Sequence, residues 1–183
     1  FQAMQQAREV LAAAAAPALE QRYALGPSLG QCCGGAVRLR FERLNQGDLA
    51  RLRSLAQRCA PDVAPITLAS IARVESSNNP YALNNNTTGA SLASGDAPTS
   101  LATASSWLAQ GHSIDVGLMQ INSSNFGWLN INIADALDPC ISLAAAARVL
   151  AEGFAGGHTE EQRQTALRVA LSRYNTGSPD RGF

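Results

Sequence analysis

Apolar residues recur at helical spacing in four stretches of the chain, and those stretches predict its framework. The first carries Leu49, Leu52, Leu55 and Ala56, with Asp48 placed to cap its start. Pro61 and Pro65 break that helix. A second begins at about residue 65, with Leu68, Ile71, Ala72 and Glu75 at i, i+3, i+4 and i+7, and Ser76-Ser77-Asn78-Asn79-Pro80 stops it. Two later helices present Leu143, Ala146, Ala147, Leu150 and Phe154, and then Leu167, Ala170, Leu171 and Tyr174. Another helix is expected from a Thr99 or Ser100 cap to Gln110, closed by Gly111. The polar stretches 84–89 and 95–98 read as loop or short strand able to wall a cleft. Ile114 to Asn122 is a compact apolar segment with spaced polar groups, and Gly177 is free to take the left-handed conformation after Tyr174-Asn175-Thr176. Upstream, residues 1–24 read as an Ala-rich helix interrupted at Pro17, and 25–36, rich in Gly, as a linker. The pattern predicts an N-terminal segment over 1–47, of unassigned role, and a mainly α domain over 48–183 with a small irregular or short-strand lobe.

Composition sharpens this picture. Ala supplies 33 of the 183 residues and aromatics only 5%, so the core must be built from Leu, Ile, Val and closely approaching Ala, which favours helices. The 14 basic residues, all Arg, balance 14 Asp and Glu; zero net charge argues against a nucleic-acid binder that depends on a strongly basic surface. Charge is uneven, with +4 over residues 1–58 and −4 over 59–183. No run of 18 apolar residues exists, so no membrane-spanning helix is expected. The start at Phe1 without Met leads to the expectation that a leading piece has been removed. Val10 to Pro17 reads either as the end of a signal peptide or, with so few large apolar residues, as part of the Ala-rich helix.

Four cysteines occur. Cys32 and Cys33 are adjacent and do not pair easily with each other, and Gln31 is the wrong residue for a lipid-attachment box. Cys59 and Cys140 each adjoin a helix end and a Pro-containing turn, and two readings stand: a disulfide in an oxidising compartment, or two buried thiols. No CxxC spacing is present and His112 and His158 lie far apart, so no metal site is expected.

Glu75 is the chemically informative position. A carboxylate on an apolar stripe at a helix end is an expensive placement unless it is paired or solvated; taken alone it reads as a snorkelling or paired glutamate. Three segments change that reading: Glu75-Ser76, Gly117-Leu118-Met119-Gln120-Ile121-Asn122 and Tyr174-Asn175-Thr176-Gly177. Their order and separation resemble the signature of the soluble lytic transglycosylase domain, a lysozyme-like fold that cleaves peptidoglycan. Cys59-Ala60-Pro61-Asp62-Val63, Asn79-Pro80-Tyr81-Ala82 and Asp138-Pro139-Cys140 are similar to the branch found with bacterial conjugation and type IV secretion systems. The resemblance covers roughly residues 52–183. Arg173 stands where many relatives carry a cysteine, and the family continues into a further packed segment, so a truncation after Phe183 is expected.

The resemblance implies a mainly α, lysozyme-like domain whose short-strand lobe flanks a cleft. It implies cleavage of the MurNAc-GlcNAc β-1,4 bond with a 1,6-anhydro product, no metal and no organic cofactor. Glu75 would donate the proton and later take one back. Ser76 would orient that carboxyl or bind sugar, or simply bond a preceding carbonyl. Gln120 and Asn122 carry amides suited to aminosugars, and Met119 would contact sugar or support Glu75, or else fill the core. Tyr174 and Asn175 would approach Glu75 or the N-acetyl group. Trp107 and Trp128 read equally as sugar platforms and as packing. Asp96 and Asp115 are the candidates for a second carboxylate, Asp115 being expected as a solvated turn residue whose loss is mild. The implied partners are peptidoglycan glycan strands and other secretion or conjugation components, with no nucleic acid, in the periplasm. A hydrolytic lysozyme and a catalytically dispensable assembly subunit are the alternatives.

Overall fold

The computed structural model describes residues 19–25, 35–41 and 46–181, and the chain divides into two units, Phe1–Leu49 and Ala50–Phe183. In the first, β1 (Leu19–Leu25) pairs antiparallel with β2 (Gly35–Phe41), from Leu19 opposite Phe41 to Leu25 opposite Gly35. This corrects the helix expected over 1–24 for residues 19–24, and the linker expected over 25–36 at both ends. From Leu19 the large apolar residues fall at even spacing: Leu19, Tyr23 and Leu25 share one parity with Glu20 and Arg22 on the other, and Val37, Leu39 and Phe41 alternate with Arg38 and Arg40. β-branched and aromatic residues at that period favour strands. Pro17, the reading of 10–17 as a signal peptide, Cys32 and Cys33 lie outside the described residues.

The second unit takes in most of α1 (Gln46–Cys59), followed by α2 (Pro65–Ser76). α1 starts at Gln46, so Asp48 falls within its first turn and not at the expected N-cap position. Next come β3 (Ala82–Asn85), β4 (Ser91–Ala93), α3 (Ala97–Ala109), β5 (Ile114–Val116) and β6 (Ile121–Asn122). A 3-10 turn over Ser123–Asn125 leads into α4 (Phe126–Leu129), α5 (Ile133–Leu137), α6 (Pro139–Gly153) and α7 (Glu160–Thr176). The four short strands form one antiparallel sheet in the order β4-β3-β5-β6. Among the described residues no helix is long and apolar enough to cross a membrane.

Two apolar cores flank the sheet lobe. The larger gathers Leu68, Ile71 and Ala72 of α2, Leu143, Ala146 and Leu150 of α6, Ala170 of α7, and Leu118, Met119 and Ile121. The smaller joins Leu83, Ile114 and Val116 of the sheet to Ala104 of α3 and Ala136 and Leu137 of α5. Phe126 and Ile131 pack against both. Small side chains bring α6 and α7 together: a Cβ on Gly153 would lie 3.1 Å from the Ala170 Cα. Phe154, expected on the α6 stripe, lies past the helix end in extended backbone and is exposed.

Helix ends follow side-chain chemistry. α3 is capped by Asp96, whose Oδ1 accepts from the Thr99 N–H at 2.8 Å, and not by Thr99 or Ser100. Pro98 is tolerated in a first turn, where its missing N–H is not needed, so the helix can begin before it. Asp138 accepts from the Cys140 and Ile141 N–H groups at the start of α6, and Thr159 and Gln162 close a capping box on α7. Gly177 ends α7 in the left-handed conformation, at φ 70°. Cys59 and Cys140 form a disulfide that joins the end of α1 to the start of α6, with Cα atoms 5.3 Å apart.

That bridge closes a ring with a sequence separation of 81 residues, for which loop entropy gives a stabilisation of up to about 4 kcal/mol. Replacing both Cys59 and Cys140 by Ala is therefore expected to lower the melting temperature by roughly 10 °C. An unchanged melting curve would remove the stabilising role.

Candidate active site

Glu75 occupies the last turn of α2, on the flank of the stripe that buries Leu68, Ile71 and Ala72, and its carboxyl group is only half withdrawn from water. The helix stops immediately after it. Ser77 and Asn78 both adopt left-handed backbone, at φ 54° and 68°, and their N–H groups donate back to the Arg73 and Ala72 carbonyls. Ser76, the neighbour expected to orient the carboxyl or bind sugar, is buried instead. Its hydroxyl lies 2.7 Å from the Leu118 carbonyl and 3.0 Å from that of Ala72, tying the end of α2 to the β5–β6 turn.

That turn is tightly constrained. Gly117 has φ 83°, and a Cβ there would lie 2.0 Å from the Ala136 carbonyl oxygen of α5, so glycine is required on two counts. Gln120 also has positive φ, and its Nε2 donates to the Gly117 and Ala82 carbonyls at 2.8 and 3.0 Å. The Gln120 amide thus holds the turn shut while the residue lines the cleft. Met119 is fully buried in the larger core, so its side chain does not reach a sugar. Its backbone does serve the site: the Tyr174 hydroxyl donates to the Met119 carbonyl at 2.6 Å, fixing the end of α7 against the turn.

Between these elements lies a cleft of about 630 Å³. Glu75, Tyr174, Asn175 and Gly177 line its helical side; Asn84, Asn86, Asp115, Gln120 and Asn122 line the sheet side, with Ser124 and Asn125 beyond. Asp115 is not a solvated turn residue. It sits within β5, opposite Asn84 on β3 and Asn122 on β6. One carboxylate oxygen accepts from Asn86 Nδ2 at 2.8 Å and the other from Asn122 Nδ2 at 2.7 Å. Asn86 is itself held by Asn84 Nδ2 at 3.0 Å, and Asn84 by the Ser91 hydroxyl at 2.9 Å. The clamp on Asp115 was outside the reach of sequence reasoning, although the run Asn84–Asn86 followed by alternating Asp115 and Asn122 carried a faint signal of it.

The two carboxylates occupy contrasting surroundings. Burial, and then the charge of Asp115, raise the pKa of Glu75 above its ordinary value. Burial, followed by the charges of Glu75 and Asp115, pushes the Tyr174 phenol well up, so it remains a neutral donor. Asp96, the other candidate second carboxylate, caps α3 away from the cleft lining, and the Thr99 N–H and hydroxyl draw its pKa down. Trp107 packs on the smaller core. Trp128 is exposed, with Arg148 5.5 Å from its ring centroid and its indole N–H donating to Asn125; neither tryptophan lines the cleft. Among the described residues no group of His, Cys, Asp and Glu is placed to hold a metal ion. A carboxyl held towards its protonated form, across from an amide-clamped carboxylate in a polar trough, is an arrangement suited to acid-assisted cleavage of a glycosidic bond.

Comparison with known proteins bears on that chemistry. Residues 54–181 match the family described as Transglycosylase SLT domain. Protein virB1 of Agrobacterium fabrum is 46% identical over 134 residues, covering 73% of this chain and 55% of the relative. Protein virB1 of Rhizobium radiobacter is 48% identical over 134 residues, covering 73% of this chain and 56% of the relative. Type IV secretion system protein virB1 of Brucella abortus is 38% identical over 135 residues, covering 70% and 55%. The chain thus spans little more than half the length of these relatives. No solved structure matches it.

The raised pKa of Glu75 has a consequence for stability. The folded state binds this proton more tightly than the unfolded chain, so the ionised carboxylate works against the fold above its raised pKa. The penalty fades as pH falls from the raised value towards the ordinary 4.5 and is gone below it. Glu75→Gln is accordingly expected to raise the melting temperature by a few degrees at pH 8 and to give no gain at pH 4. Melting curves across that range check it, and a gain independent of pH would contradict the assignment.

Proposed function

Because the chain belongs to the transglycosylase SLT domain family, we propose that it is a peptidoglycan lytic transglycosylase. It cuts the β-1,4 bond between N-acetylmuramic acid and N-acetylglucosamine and leaves a 1,6-anhydro-muramyl end. The observation that carries this reading is Glu75, a half-buried carboxyl with raised pKa in the wall of a polar cleft. Protonated Glu75 gives its proton to the glycosidic oxygen as the C1–O bond breaks. Positive charge then develops at C1 and the ring oxygen, opposite the Asp115 carboxylate, which the Asn86 and Asn122 amides keep in place. The sugar's own 6-hydroxyl closes on C1 and returns a proton to Glu75. Atoms and charge balance without water or a cofactor. Tyr174 and Asn175 position the reacting ring from the end of α7. The resemblance to virB1 proteins of type IV secretion systems supports a periplasmic role, in which the enzyme opens the wall locally for a secretion apparatus whose components are its partners.

A hydrolytic lysozyme is the second reading, and the placement of Asp115 favours it. A clamped carboxylate facing Glu75 is the arrangement a retaining hydrolase uses to hold or capture the sugar cation. Mass analysis of muropeptides from a digest of purified peptidoglycan separates the two, since anhydro ends are one water lighter than reducing ends; anhydro ends are expected.

Two substitutions test the roles. Glu75→Gln keeps the shape but cannot supply the proton, and is expected to lower wall-lytic activity by about 10²–10⁴-fold; activity within a factor of about three of the parent would sink the assignment. Asp115→Asn removes a charge that both stabilises the cation and raises the pKa of Glu75. It is expected to lower activity on the order of a hundredfold and to move the alkaline limb of the pH profile to lower pH. An unmoved limb would break the link between the two carboxylates.

A further inference from the structure

Along β3 the buried positions are Leu83 and Asn85, and Asn85, opposite Ile114 of β5, has no exposed surface. A carboxamide where the alternation calls for an apolar side chain is costly unless its groups are bonded. Its Oδ1 accepts the Thr87 and Thr88 N–H groups, both at 3.0 Å, and so folds the exposed turn that follows β3. Its Nδ2 lies 3.0 Å from Nδ1 of His112, in the segment between α3 and β5. The same segment grips the turn twice more: the Asn86 N–H donates to the Ser113 carbonyl at 2.9 Å, and the Ser113 N–H to the Thr87 hydroxyl at 3.0 Å. These bonds surround Asn86, whose exposed side chain holds Asp115. Where Asn86 points is therefore decided by the backbone that Asn85 and His112 brace.

We infer that neutral His112 is a positioning residue for the Asp115 clamp and that its protonation loosens that clamp, an inference that rests on the glycan-cleaving reading of the site. The hydrogen bonds settle which ring nitrogen carries the proton. With two backbone donors on its oxygen, the Asn85 amide cannot turn over without leaving both unbonded, so its N–H edge must face the imidazole. Nδ1 of His112 is then the acceptor, and the ring proton sits on Nε2. A second proton, added at Nδ1, sets two donors against each other and removes the buried brace. Imidazole is the side chain that ordinarily takes up such a proton between about pH 5 and 8. Little else around it titrates: α3, β3, β4 and residues 86–90 carry no ionisable side chain. Asp96 caps the opposite end of α3, Asp135 closes the cap of α5, and Tyr81 packs on the smaller core. Asp115 of β5 is engaged by Asn86 and Asn122. The device is thus one imidazole, read out through a buried amide by the turn that walls the cleft.

The experiment follows the ratio of variant to parent kcat/KM on purified glycan strands between pH 5 and pH 7.5, a ratio in which the titration of Glu75 cancels. His112→Asn places an amide oxygen as far along the side chain as Nδ1, and that oxygen accepts from Asn85 without titrating. This variant is expected to match the parent within about twofold at pH 7.5 and to exceed it about tenfold at pH 5, the effect of one buried hydrogen bond. His112→Ala lacks the acceptor and is expected to fall about tenfold below the parent at pH 7.5 and to equal it at pH 5. A readout independent of activity is amide hydrogen exchange at pH 5, where the Thr87 and Thr88 N–H groups are expected to exchange about tenfold faster in the parent than in His112→Asn. A flat His112→Asn ratio in an active parent, equal exchange in the two proteins, or a nitrogen NMR spectrum placing the neutral ring's proton on Nδ1 overturns the His112 assignment alone. A parent that cleaves no glycan strand overturns the glycan-cleaving reading and the positioning role with it.

Discussion

The turn Gly117–Gln120 passes so close to α5 that a Cβ on Gly117 would lie 2.0 Å from the Ala136 carbonyl oxygen, and the arrangement of the cleft depends on that approach. Through it the chain reverses from β5 to β6 with three carbonyls and an amide available to its neighbours. The Leu118 carbonyl receives Ser76 and so fixes the end of α2; the Met119 carbonyl receives Tyr174 and so fixes the end of α7. The Gly117 carbonyl receives the Gln120 side chain, which locks the turn itself. Two helix ends far apart in sequence are thus referenced to one rigid backbone segment. Glu75 and Asn175 are each the immediate neighbour of a residue so anchored. Precision at the reacting groups comes from buried hydrogen bonds one residue away from them, a division of labour that leaves the reactive side chains free to meet substrate.

Electrostatics then separates two chemically similar side chains. Glu75 ends an apolar helix face and loses part of its hydration, which favours the protonated form. Asp115 lies in a strand of a sheet whose exposed face is amides, and each of its oxygens accepts a charge-assisted hydrogen bond. The charge of Asp115 adds to the effect of burial and holds Glu75 further towards its protonated form. Burial and strand register thus give the two carboxyl groups different surroundings within one cleft.

Support for the site comes from ordinary packing. Alanines of α6 and α7 allow the two helices to approach closely around Gly153 and Ala170, and the Cys59–Cys140 bridge ties α1 to the start of α6. Among the described residues, an apolar groove between α2 and α7 lies open next to the cleft. It makes the surroundings of Glu75 polar on one side and apolar on the other.

Much of this was legible in the one-dimensional pattern. Helical periodicity placed Leu68, Ile71, Ala72 and Glu75 on one stripe, and Gly177 behind α7, because a regular helix converts sequence spacing directly into a face. The three short segments around Glu75, Gly117 and Tyr174 likewise pointed to one site. Where local composition competed with period, the reading failed: an Ala-rich run carried the expected helix into Leu19–Leu25, where alternation had already begun. Side-chain direction at the site belonged to the tertiary structure. Ser76 and Met119 face inwards, and Gln120 binds its own turn. Asp115 is clamped by Asn86 from 29 residues away, a contact created only when β3 and β5 align. Spacing along a chain determines which residues share a face; which carbonyl, amide or carboxylate that face meets is set by the packing of distant elements against one another.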